Sequence, residues 1–141
     1  MTLSKTLLVV ALLAGGYQLW TGHQRAHAER EALLGADVNG FIDVLMPDGA
    51  PPHAVLVFAP VNCPSDGAKR ADEMSKELTA RGIPNIRASN YRASSLKPDQ
   101  MDLINRTYIV LGGTIPTVMI DGRGKANPTL DEIAAEYHRN L

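Results

Sequence analysis

The residues able to do covalent chemistry are few and lie close together. The chain holds one cysteine, Cys63, in the run Asn62-Cys63-Pro64-Ser65-Asp66. A thiol attacks as its thiolate, so its reactivity follows its pKa and its access to solvent. Cys63 stands where an apolar run, Ala54-Val-Leu-Val-Phe-Ala59, hands over to a stretch of helical periodicity. A sulfur placed there meets the free N–H groups and the positive end of the helix dipole, and both favour the thiolate. Pro64 is expected at the first helical position, where its missing N–H has no partner to lose. Ser65 can donate a hydrogen bond to the thiolate. Asp66 suits a helix start, but its carboxylate repels a nearby thiolate. The competing reading of Cys63 is a small apolar residue at a crowded strand–helix junction. With a single cysteine, neither an intramolecular disulfide nor a cysteine-rich metal site can form.

The remaining candidates are weaker. His23 and His27 are four residues apart in a polar stretch that reads as a solvated linker. His53 precedes the apolar run, and His138 falls in a last helical turn, where a cation suits the dipole. Neither is spaced as a metal-ligand pair. Arg87, Arg92 and Arg106 read as surface charges. A net charge of −1 and only one Trp and two Phe give no basic or stacking surface for a nucleic acid. The 45% hydrophobic and 21% charged composition is that of a globular chain, and its 141 residues suffice for one core.

The elements that position Cys63 follow from periodicity. Ala54 to Ala59 is a continuous apolar run bounded by prolines, the pattern of a strand buried on both faces. Phe41–Met46 reads as an earlier strand. After Cys63, Ala71, Met74 and Leu78 give a helix to about Arg81 one apolar face, with Gly82 as its stop and Pro84 beyond. Asn85–Ser89 reads as a short strand. Pro98 opens a helix with Met101, Ile104, Tyr108 and Leu111 on one face, ended by Gly112-Gly113. Thr117–Asp121 is a strand, Asp121-Gly122-Arg-Gly124 a hairpin turn, and a second short strand follows around Lys125 and Ala126. Thr129-Leu-Asp-Glu132 is a capping box, and Leu130, Ile133, Ala134, Tyr137 and Leu141 supply the buried stripe of a final helix. Asn105-Arg-Thr107 matches a glycosylation sequon inside a helix and reads as chance. A strand–helix–strand unit followed by a hairpin implies an α/β sandwich: a parallel strand pair, a hairpin beside it, and helices on both faces.

The first twenty residues differ from the rest. Thr6 to Trp20 is uncharged and apolar on every face, behind a start carrying Lys5. Tyr17 and Trp20 suit a membrane interface. Residues 1–20 are expected to be a signal anchor or signal peptide, residues 21–39 a linker or short helix, and residues 40–141 the folded domain. Ala26-His27-Ala28 has the form of a signal-peptidase site but lies far behind the apolar run, which favours an uncleaved anchor. The expected location is therefore the periplasmic side of a bacterial inner membrane. A soluble periplasmic domain, cleaved near Ala28, is the alternative.

A strand followed by Cys63-Pro64-Ser65-Asp66 and a helix resembles the active-site turn of the thioredoxin superfamily, whose usual form is Cys-X-X-Cys. Gly113-Thr-Ile115-Pro116-Thr-Val-Met-Ile-Asp-Gly122 resembles the Thr-Val-Pro segment and following strand of glutaredoxins. The resemblance runs from about Ala54 to the C-terminus. It implies a thioredoxin-like, glutaredoxin-like central mixed sheet with helices on both faces. It also implies a cis peptide bond between Ile115 and Pro116, packed close to Cys63, with Ile115 presenting its backbone to a substrate. Cys63, Pro64, Ser65 and Asp66 would then form the catalytic turn, and Ile115 and Pro116 the substrate-binding segment. The chain departs from the pattern at Asp66, which stands where the second cysteine would be. That leaves a single-thiol variant. The lysine usually found before the cysteine is replaced by Ala59-Pro60-Val61-Asn62, and the glycine-rich glutathione segment by Ala126-Asn127-Pro128-Thr129. Asp131 at the start of the last helix could fill a similar place. No metal and no cofactor is expected. Glutathione is allowed by the resemblance alone.

Two functions follow from the residues as expectations, and a third, a cluster or glutathione binder, is implied by the resemblance to single-thiol glutaredoxins alone. One is monothiol thiol–disulfide exchange by Cys63 on a protein partner carrying a thiol or disulfide near the membrane. The other is a non-catalytic binding module of an envelope assembly built on the same scaffold.

Overall fold

The computed structural model describes residues 13–27, 30 and 35–141. The chain divides after Leu34 into two compact units. In the first, residues 13–27 are helical, and Thr21 donates its hydroxyl to the carbonyls of Tyr17 and Gln18. No helix among the described residues is long and apolar enough to cross a membrane. The expected membrane segment, residues 1–20, lies partly outside the described residues, and Ala28 lies outside them altogether.

Gly35–Leu141 carries the α/β fold that the strand–helix–strand reading implies. Its strands are β1 (Ile42–Asp43), β2 (Val55–Phe58), β3 (Asn85–Ala88), β4 (Thr117–Ile120) and β5 (Arg123–Ala126). Its helices are α1 (Asp66–Ala80), α2 (Met101–Leu111, preceded by a 3-10 turn at Pro98–Gln100) and α3 (Leu130–Arg139). The strands form one mixed sheet in the order β1-β5-β4-β2-β3. β2 and β3 run parallel, as a strand pair joined by a helix must, and every other pair is antiparallel. β4 turns into β5 through Asp121 (φ 45°) and Gly122 (φ 82°), the left-handed pair of a tight hairpin.

β2 and β4 are the centre of the sheet, and all their residues are buried. Alternation sends Val55, Val57, Val118 and Ile120 to one face, where they pack with Phe41, Ala71, Met74, Leu78 and Ile133 of the main core. α1 and α3 cover that face. α2 covers the other, closely enough that a side-chain carbon on Gly124 would meet Val110 at 3.3 Å.

Four expectations need correction here, and a fifth, at Pro64, below. The first strand is two residues, not six: Leu45 N–H goes to Thr107 Oγ1 at 2.8 Å and its carbonyl accepts from the Tyr91 hydroxyl at 2.9 Å, so side chains replace the ladder. On α2 the buried face is Ile104, Thr107 and Val110, and Met101 and Tyr108 are exposed. Leu141 lies beyond the end of α3 and is exposed, while Glu136 of α3, absent from the expected stripe, is fully buried. Arg87 is not a surface charge, as set out below. The capping box of α3 forms as expected: Thr129 Oγ1 accepts from Glu132 N–H, and Glu132 accepts from Thr129 N–H.

Candidate functional site

The turn after β2 places the thiol. α1 begins two residues later than expected: Ser65 is the N-cap and Asp66 the first helical residue, so Pro64 lies just outside the helix. Two cues competed here, proline at the first helical position and serine at the cap. The serine prevails because its hydroxyl oxygen accepts the Ala68 N–H at 3.3 Å, satisfying a donor that proline cannot serve. Asn62, at φ 54°, turns the chain between the strand end and Cys63.

Cys63 is half-buried and free. Its sulfur lies 3.4 Å from Ser65 Oγ. As a thiol, Cys63 donates to that oxygen, which also accepts from Ala68 N–H; on ionisation the Ser65 hydroxyl can turn its own proton to the thiolate. The Ser65 hydroxyl and the Ser65 backbone N–H hold the Cys63 thiol below its ordinary range, and partial desolvation opposes them without reversing the sign. Ser65 thus joins the helix terminus to the sulfur through one hydroxyl.

The peptide bond between Ile115 and Pro116 is cis. The segment meets α1 at its first turn. A side-chain carbon on Gly67 would lie 2.5 Å from Ile115 Cγ1 and 3.4 Å from the Ile115 carbonyl oxygen, so only glycine leaves room for this approach. Pro116 is buried, and its carbonyl accepts from Asn127 N–H at 2.8 Å. Asn127 in turn accepts from the Arg70 guanidinium of α1. The structure therefore brings Gly67 and Arg70 of α1 alongside Ile115 and Asn127. Asp66 opens the helix, and Asp131 is turned to Arg81 at 3.1 Å, an exposed pair of small energetic weight.

The other candidates lie elsewhere. His53 and Asp121 pair at 3.0 Å at the start of β2 and the end of β4, the opposite pole of the sheet from Cys63. His23 and His27 contact each other on the helix of the first unit. Among the described residues no group of three or more His, Cys, Asp or Glu side chains could hold a metal ion. A cleft of about 250 Å³ opens beside α2, lined by Leu45, Tyr91, Ile104 and Tyr108, with none of the expected site residues in its wall.

Arg87 is the functional candidate that sequence reasoning missed. Its side chain is only 16% exposed and bonds to the carbonyls that lead into the Cys63 turn. The one available signal was its place opposite the last residues of an apolar strand, a poor site for a solvated charge.

A scan against protein-family models finds no match, and searches of curated proteins and of solved structures return none either.

Proposed function

We propose that this chain is a single-thiol protein of thioredoxin-like, glutaredoxin-like fold. In this reading Cys63 exchanges with a disulfide on a protein partner. The observation that carries it is the Ser65 hydroxyl, 3.4 Å from the Cys63 sulfur and oriented by the Ala68 N–H it accepts. The fold reading is supported by the parallel β2–β3 pair joined by α1, the antiparallel hairpin on the other side of β2, and the cis Pro116 that opens into β4.

The chemistry balances with one thiol on this chain. The Cys63 thiolate attacks one sulfur of the partner's disulfide; a Cys63–partner disulfide forms, and the partner's other sulfur leaves as a thiolate. A second thiol from outside the chain then attacks the mixed disulfide, reduces Cys63 and takes its place. Ser65 lowers the thiolate's energy before attack. By the resemblance, Ile115, which precedes the cis Pro116, would present its backbone to the partner chain. Residues 1–20 hold the domain at the periplasmic face of the bacterial inner membrane, and no cofactor takes part.

Asp66 favours a second reading. A carboxylate where a resolving thiol would stand leaves the chain no internal route to turnover, as a non-catalytic binding module of an envelope assembly requires. Trapping separates the two. Expressed in full and quenched with acid, the chain should show disulfide-linked partner bands on a non-reducing gel that vanish on reduction and are absent from Cys63→Ser. An unchanged single band in both, with partners still retained without Cys63, supports the binding module instead.

A further inference from the structure

Arg87 lies in β3 in register with Val57 of β2. Its Nη1 donates to the carbonyls of Val57 at 3.0 Å and Ala59 at 3.3 Å, and its Nη2 to that of Pro60 at 3.5 Å. Its Nε donates to Asp72 of α1 at 2.9 Å. One planar group therefore binds both arms of the turn, the strand end before Cys63 and the helix after it.

The need for such a group is readable in the backbone. The β2–β3 pairing ends at Phe58 opposite Ala88, with Ala59 N–H reaching back to the Ala88 carbonyl at 3.1 Å. The next residue, Pro60, has no N–H to continue a ladder. The strand end is thus held mainly through its carbonyls, and carbonyls require donors. Arginine presents five in a fixed fork, whereas lysine presents three on a point charge and cannot span both arms at once. An ordinary surface arginine spends its donors on water or one acid. Here three of four bonds go to main-chain oxygens.

We propose that Arg87 is a positioning residue for the thiol: by fastening the end of β2 to the second turn of α1, it keeps the Cys63 sulfur within reach of the Ser65 hydroxyl. The proposal rests on the reading of Cys63 as a nucleophile.

The test is alkylation of Cys63 by iodoacetamide against pH in the full chain, with thermal unfolding measured alongside. In Arg87→Met the midpoint should rise by about half a unit to one unit, and the rate at pH 7 should fall about three- to ten-fold, because the sulfur loses its donor. Arg87→Lys keeps the charge and loses the fork. It should show more than half of the Met effect, which a purely Coulombic role would not produce. Asp72→Asn loosens the helix arm alone and should shift the midpoint in the same direction, by less; with Arg87→Lys it carries the test if the Met variant does not fold. Arg92→Met, at an exposed site, should leave the profile unchanged. Folded Arg87 variants with a wild-type midpoint and only a lower unfolding temperature would overturn the positioning role. An ordinary free-thiol profile in the wild type would instead overturn the nucleophile reading beneath it.

Discussion

Replacing Arg123 by Met is expected to cost about 3–5 kcal/mol of stability, the cost of removing one partner from a buried ion network. Arg123 donates to the Phe41 carbonyl at 2.7 Å and to Asp43 at 2.8 Å, and its Nη2 lies 3.1 Å from Asp37. Asp37 and Glu136 are both buried, and Arg139 reaches each of them, at 3.2 Å and 2.9 Å. Burial pushes the Glu136 carboxyl above its ordinary range, helped by Asp37 as hydrogen-bond partner and as a like charge; Asn39 and Arg139 pull the other way. Burial also pushes Asp37 up, but the hydrogen bond with Glu136, the Phe41 and Asn39 N–H groups and the charge of Arg123 outweigh it, so Asp37 ends below its ordinary range. The two signs give opposite pH windows. Glu136, raised on folding, contributes stability that is complete below its unfolded pKa and is lost as pH rises through its folded value. Asp37, depressed on folding, contributes stability that is present above its unfolded pKa and is lost as pH falls through its folded value. Urea unfolding at a series of pH values should therefore show wild-type stability declining upward from the ordinary glutamate range. Glu136→Gln should remove that decline. A pH-independent difference between the two proteins would contradict the assignment.

Phe41→Ala should be comparably severe, about 3–5 kcal/mol for a buried phenylalanine with incomplete collapse of the space it leaves. Phe41 is fully buried and joins the core shared by Val118, Ile120 and Ile133. It also anchors the start of the domain, because its N–H donates to Asp37 at 2.9 Å and its carbonyl accepts from Arg123. Against a total of about 5–15 kcal/mol, this loss removes much of the margin. Leu141→Ala and Met101→Ala, at exposed positions, should stay within about 0.5 kcal/mol of wild type. Chemical unfolding of the three variants ranks the core directly, and a large loss at Leu141 would return the last helix to its sequence-derived stripe.

What could be read in advance depended on range. The Ala54–Ala59 run, the Thr129–Glu132 box and the Asp121-Gly122 turn are local signals, and the structure follows them. The cis bond at Pro116 was reachable only through the resemblance of its segment, since nothing local distinguishes it. Glu136 was absent from the expected buried stripe because its type outweighs its position. Three residues after Ile133, it falls beside the buried stripe, and what makes burial tolerable is Arg123 and Asp37, far away in sequence. Arg87 failed in the same manner, its partners being carbonyls 27 to 30 residues earlier in the chain. The helix start was placed two residues early, at Pro64, because two local rules competed and only geometry shows which cap forms.

The most direct measurement is the pH dependence of Cys63 alkylation in the full chain beside Ser65→Ala. A thiolate held by the Ser65 hydroxyl gives the wild type a midpoint below the free-thiol value of about 8.5, moving up when the hydroxyl is removed. A wild-type midpoint at or above that value, unmoved in Ser65→Ala, would contradict the claim that this turn is built to activate its sulfur.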